Sequence, residues 1–181
     1  MLEAELRDLG ALVVREPGGT PLGERIRELL LQSRIDMAPE AEMYLFMAAR
    51  AELVRSVIAP ALQAGRIVIA DRYHDSTLAY QGGGRGVATA WPAGFPKPAL
   101  TFLLALSPEQ GRLRQATSGK DADRMESESG AFHEAVFAEY ERLAAAEPQR
   151  WVRLDALRPP AELHRHVMES LEPVLRRAAA R

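Results

Sequence analysis

Short apolar runs set between stretches of helical periodicity constrain this chain more than any other feature. The runs fall at residues 11–14, 67–70, 100–106 and 151–154. Each is too short for a buried helix and is bounded by turn-forming residues, which marks a buried strand. Between them, apolar side chains recur at helical spacing. Leu2, Leu6 and Leu9 predict a helix ahead of Gly10, and another is expected over 22–32. After Pro39, one broad face carries Leu53, Val54, Val57, Ile58, Ala61 and Leu62, closed by Gly65, with Pro60 expected to bend or loosen the helix. The same spacing joins Phe132, Val136, Tyr140 and Leu143, and again Leu163, Val167, Val174 and Leu175. Apolar strands alternating with amphipathic helices predict an α/β fold, three layers deep, with a parallel sheet covered on both faces.

Composition narrows the class. The 181 residues suffice for one sizeable core, and a single domain over 1–181 is expected. With 47% apolar residues and a net charge of −2, neither a disordered chain nor a general nucleic-acid binder fits. No cysteine is present and the four histidines lack zinc spacing, so a disulfide framework and a cysteine-ligated metal are excluded. No apolar stretch is long enough to span a bilayer, and MLEAELRDLG is too charged for a signal peptide. A soluble, cytoplasmic protein with no nucleic-acid or membrane partner is expected.

In parallel sheets ligands bind beyond the carboxyl ends of the strands. Arg15-Glu16-Pro17, Asp71-Arg72 and Ser107 occupy those places. An arginine such as Arg72 pairs with phosphate in a two-pronged geometry, while Asp71 suits a magnesium-bound water or a substrate hydroxyl. The competing reading is an internal ion pair at the sheet edge. Phe46 and Arg50 are four apart on one helical face, so the ring can stack on a base while the guanidinium donates to a carbonyl. A core phenylalanine beside a solvated arginine explains the spacing as well. Thr77 and Tyr80 share a face if the chain after Asp75 is helical, although capping by Asp75 or Ser76 accounts for part of that pattern.

The run Gly82-Gly83-Gly84-Arg85-Gly86 invites comparison with a phosphate-binding loop. It has no lysine, follows a segment of helical character and precedes no strong helix, so a flexible turn is the better reading. Arg15-Glu16-Pro17-Gly18-Gly19-Thr20 fails the same test, and G-x-x-x-x-G-K-[ST] occurs nowhere in the chain. Residues 115–130, rich in Ser, Gly, Asp and Glu, are expected to be a long mobile segment suited to a lid.

These blocks resemble bacterial thymidylate kinases of the nucleoside-monophosphate kinase group. The matching stretches are REPGGT (15–20), Phe46 with Arg50, DRYHDSTLAYQGGGRG (71–86), DRMESE (123–128), FHEAVFAEYERLA (132–144) and the LDA of 154–156, in family order over nearly the whole chain. The resemblance implies a fold of the P-loop nucleotide-kinase type and transfer of the γ-phosphoryl group of ATP, with Mg2+, to dTMP, giving dTDP for dTTP synthesis. Carried over, Phe46 stacks on thymine and Arg50 reaches its O4. Ser76, Thr77 and Gln81 belong to the dTMP site, with Thr77 and Gln81 at the polar edge of the base, and Tyr80 crowds the 2′ position of the sugar. Arg72 holds the acceptor phosphate with Asp71 near it and the magnesium. Lys120 and Arg124, with Arg112 and Arg114, supply cations from a lid at about 112–130. A homodimer is implied, to which the face from Leu53 to Leu62 could contribute, although that face could equally be core.

The sequence departs from the family pattern in three places. The family opens with a central strand and a P-loop, whereas this chain starts at the helix that follows, so it is expected to be N-terminally incomplete and inactive as it stands. Residues 87–97 are shorter than the family connection. Ala99 and Ala105 stand where aspartates are usual. Two alternatives follow: a non-catalytic thymidylate-binding or dimerising remnant, or a kinase for another nucleoside monophosphate.

Overall fold

The computed structural model describes residues 10–32, 35–117, 119 and 121–179; the helix expected over Leu2–Leu9, and Lys120, lie outside them. The chain is α/β, and every strand pairing is parallel. Strand β1 (Leu12–Arg15) pairs with β2 (Val68–Asp71), and β3 (Thr101–Ala105) pairs with β4 (Trp151–Asp155). Among the described residues these form two separate two-stranded sheets, so each strand has one unpaired edge.

The helices follow the apolar spacing. Thr20 caps α1 (Pro21–Arg27), its hydroxyl accepting from the Gly23 amide at 2.9 Å, and Pro21 stands in the first turn, where its missing N–H costs nothing. The helix widens into a π-turn over Glu28–Gln32. Helix α2 (Pro39–Leu53) runs into a second π-turn (Val54–Ile58) and then α3 (Ala59–Gln63). Pro60 accounts for the widening: it has no N–H to donate and its ring crowds the carbonyl a turn earlier. The Ala59 amide instead reaches five residues back, to Val54. The helix is thus re-wound rather than ended.

Leu53, Val54 and Ile58 pack with Val14 and Tyr73 into one core cluster, with Trp91 and Phe95 of the irregular 87–97 connection laid against it. Ala61 is also buried, which makes most of the face from Leu53 to Leu62 interior; only Leu62 of its large side chains is open. Helix α4 (His74–Thr77) continues as a π-turn over Leu78–Gly84 and packs on α6 (Gly130–Ala146), which Ser129 caps through the Phe132 amide. Helix α7 (Pro160–Ala179) closes the chain. Among the described residues no helix is long and apolar enough to cross a membrane.

Two expectations change. The glycine run is not a flexible turn: Gly82, Gly83 and Gly84 lie within the π-turn, and a Cβ on Gly83 or Gly84 would fall 2.5 Å from Glu139 or Phe132 of α6. Only Gly86, at φ 70°, turns the chain. The segment 115–130 is not uniformly loose either. Helix α5 (Pro108–Thr117) takes its start, and 123–128 docks on the body, with Met125 buried beside Ala79, Phe132 and Val136. Sequence periodicity missed α5 because it buries no side chain.

Candidate functional site

A cavity of about 210 Å³ opens beyond the carboxyl ends of β1 and β2, bounded by α1, α2, α4 with its π-turn, and residues 123–126. Arg15, Glu16, Phe46, Arg50, Asp71, Arg72, Ser76, Thr77, Tyr80 and Gln81 all line it. The strand-end rule and the helical spacings therefore converge on one place.

Arg72 follows β2 directly and is the single described non-glycine residue at positive φ, 65°. That conformation costs an L-residue roughly 1–2 kcal/mol, and backbone strain of this kind gathers where a ligand is gripped. The Arg72 guanidinium lies 5.1 Å from the centre of the Tyr80 ring, which fixes its aim. The Tyr140 hydroxyl donates to Ser76 Oγ at 2.8 Å, and burial pushes the Tyr140 phenol up to about 12, so it stays protonated.

Arg50 is almost wholly buried. Its Nε donates to Glu16 Oε2 at 2.6 Å, Nη1 to Thr77 Oγ1 at 2.7 Å and Nη2 to the Tyr73 carbonyl at 3.2 Å. A guanidinium has five N–H donors in a fixed plane. One Nη2–H is left with no protein partner among the described residues. Glu16, which the sequence placed in a polar cluster at the end of the first strand without a role of its own, orients this arginine. Burial raises its pKa in spite of the Arg50 charge, and its Oε1 is buried without a partner.

His74 lies behind Arg50. Its Nε2 lies 2.9 Å from the Ala90 carbonyl and its Nδ1 3.4 Å from Arg50 Nη1. Burial, and then the Arg50 charge, push it down to about 4. It is therefore neutral near pH 7, with the proton on Nε2 facing the carbonyl and Nδ1 accepting.

Gln81 is fully buried, and its Nε2 donates to Glu42 Oε1 at 2.9 Å. That contact fixes which end of the amide is which, leaving the oxygen on the far side from Glu42. Glu42, which sequence reasoning did not single out, also accepts from Arg85 Nη2 at 3.0 Å and pairs with Arg124 Nη2 at 2.6 Å. Burial alone would raise its pKa; the hydrogen bonds from Arg85, Gln81 and Arg124 outweigh burial and lower it. A signal was present: Glu42, Phe46 and Arg50 follow one another at intervals of four on α2.

The remaining cations lie elsewhere. Arg124 is held by Glu42 and by the Leu30 carbonyl at 2.7 Å and does not line the cavity. Arg112 and Arg114 are exposed on α5, away from it. In the 15–20 loop the Gly19 amide donates to Glu24 Oε1 at 2.8 Å, so this N–H is already engaged.

The sequence model of the family described as Thymidylate kinase matches residues 1–167. The chain belongs to the thymidylate kinase family. It is 47% identical over 175 residues to the thymidylate kinase of Deinococcus radiodurans, an alignment that covers 92% of this chain and 84% of that one. It is 45% identical over 186 residues to the thymidylate kinase of Thermomicrobium roseum, covering 98% and 88%. Its fold is similar to that in the crystal structure of thymidylate kinase from Ehrlichia chaffeensis, with a TM-score of 0.69 at 24% identity over 94% of this chain and 89% of that chain. The family is one of phosphotransferases, and its α/β nucleotide-kinase architecture agrees with the parallel strand pairs and the strand-end pocket described above.

Proposed function

We propose that the cavity is the acceptor site for dTMP, the nucleotide that receives the γ-phosphoryl group of ATP to give dTDP. The observation that carries this reading is that Gln81 and Arg50, both lining the cavity, are each held in one orientation by protein partners. Gln81 is tethered so that its amide oxygen is the end available to a ligand, and Arg50 keeps one N–H to spare. An acceptor beside a donor matches the imide edge of thymine, N3–H next to O4; cytosine presents the opposite pattern. Phe46 lies beside this edge, half-buried on the cavity wall, where a ring can stack on the base. Arg72 takes the acceptor phosphate, Ser76 and Thr77 complete the polar wall, and Tyr80 closes on the sugar.

Asp71 fits a magnesium ion brought with nucleotide phosphates, because such ions are held by one or two carboxylates and keep their waters. No cluster of three or more acidic, histidine or cysteine side chains able to hold a metal exists among the described residues. The ion would neutralise phosphate charge. Catalysis in this reading is positioning and electrostatics, for which Arg72 aligns the acceptor and Lys120, Arg112, Arg114 and Arg124 are the candidate lid cations. The assembled form is taken to be a homodimer in the cytoplasm, using a surface other than the buried stretch of 53–62.

The 181 residues contain no G-x-x-x-x-G-K-[ST] run, so by themselves they are proposed to bind dTMP without turning it over. Calorimetric titration with dTMP, thymidine and dCMP tests the reading. The Arg72→Met variant is expected to weaken dTMP about tenfold, some 1.4 kcal/mol, and to leave thymidine nearly unchanged. Equal binding of dTMP and dCMP by the wild type would overturn it.

A further inference from the structure

Glu42 serves two groups of side chains. On one side it holds the Gln81 amide, which lines the pocket. On the other it holds Arg85, from the glycine run, and Arg124, from the docked segment at 123–128. Arg85 extends the link by donating to Glu128 Oε1 at 2.5 Å, and its guanidinium lies 4.6 Å from the centre of the Phe132 ring. The Arg124 backbone amide donates to Leu31 and its Nε to Leu30. One nearly inaccessible carboxylate thus receives an amide and two guanidinium groups, and no ligand contact is needed to explain it.

We propose that Glu42 is a positioning residue that sets base selectivity: it keeps the Gln81 amide oxygen toward the pocket and clamps residues 123–128 over the same pocket. The chemistry is directional. An ionised carboxylate only accepts hydrogen bonds, so the amide facing it must present its NH2. A neutral side chain that can both donate and accept removes that bias, and the amide can then turn its NH2 toward the ligand. Thymine N3–H would meet a donor in that orientation and lose its partner, whereas cytosine N3 would gain one. The clamp follows from the same charge: Arg85 and Arg124 both present guanidinium groups, and among the described residues only Glu42 pairs with both.

This inference rests on the dTMP reading, and two readouts on the full chain separate the two. The first is the ratio of dTMP to dCMP affinity by calorimetric titration. Glu42→Gln is expected to lower that ratio about tenfold, through weaker dTMP and unchanged or tighter dCMP binding. Glu42→Asp keeps the charge but withdraws it by one methylene; it guards against a misfolded Glu42→Gln and is expected to lower the ratio about threefold. The second readout is hydrogen–deuterium exchange without ligand, where Glu42→Gln should speed the amides of 123–128 and leave β3, β4 and the end of α6 unchanged. Glu128→Gln, which loosens the outer pair alone, should speed 123–128 and keep the affinity ratio. Equal losses of dTMP and dCMP affinity, or exchange that rises evenly over the chain, would overturn the proposal. If the wild type fails to bind dTMP, the acceptor reading falls, while exchange at 123–128 still decides the clamp.

Discussion

The pocket wall and the strands invert the usual distribution of polar and apolar groups. In the wall, formed by α2, α4 and its π-turn, the most deeply buried large side chains include Arg50, His74, Gln81, Glu42 and Thr77. In the strands, some apolar side chains stand open beside the buried Val14, Ala105, Trp151 and Leu154: Leu104 of β3 is 58% exposed, and Ala70 of β2 is exposed too. Buried polar groups are tolerated only when partnered, and here nearly all are, through networks reaching across many residues of sequence. Parallel strands usually bury both faces; these run as isolated pairs with an open edge apiece.

One ion pair stands between the two regions. Arg150, ahead of β4, forms a two-pronged pair with Asp75 of α4 at 2.8 Å for both bonds, and donates to Thr101 of β3 at 2.7 Å. It ties the wall to the β3–β4 pair. Removing one partner strands a buried charge, so Arg150→Ala is expected to cost about 3–5 kcal/mol of stability in urea denaturation. A loss below about 1 kcal/mol, the value of an exposed pair, would break the comparison at its strongest point.

Protonation provides the next test. His74 has a folded pKa pushed down to about 4, against about 6.5 in an unfolded chain. Between those values the unfolded state binds the extra proton, so stability falls as pH drops from 6.5 toward 4. The slope is up to about 1.4 kcal/mol per pH unit. His74→Gln, which keeps a donor for the Ala90 carbonyl, should flatten that part of the curve. An unchanged slope would assign the acid sensitivity to other groups.

The smallest effect is expected in the strands. Leu104→Thr replaces an exposed apolar side chain with a β-branched polar one, and should shift stability by no more than about 0.5 kcal/mol. A loss of 2 kcal/mol or more would mean that Leu104 is covered in solution, and would sharpen the contrast by showing where the open strand face is used.

The fold was legible where it depends on local pattern. All four strands and the helices over 21–32, 39–63, 130–146 and 160–179 follow from apolar spacing, and Phe46, Arg50, Arg72, Thr77, Tyr80 and Gln81 were brought to one cavity as their strand-end and helical positions implied. The partners of those residues were not legible. Arg150 and Asp75 are 75 positions apart, Arg85 and Glu42 are 43 apart, and Arg50 and Glu16 are 34 apart. No periodicity encodes such pairs, because charge complementarity acts through space and leaves no local trace. Helix α5 escaped for the opposite reason, having no buried face to give it a period.

The glycines at 83 and 84 act as a gauge. Because neither carries a side chain, the π-turn and α6 close to a spacing that a Cβ would disturb, and the same two elements meet where Tyr140 donates to Ser76, which lines the pocket. A variant with alanine at 84 would keep every polar group named above and alter the calibre of the space they enclose. The two glycines set a dimension of the pocket, while Arg85 of the same run reaches its chemistry only through Glu42.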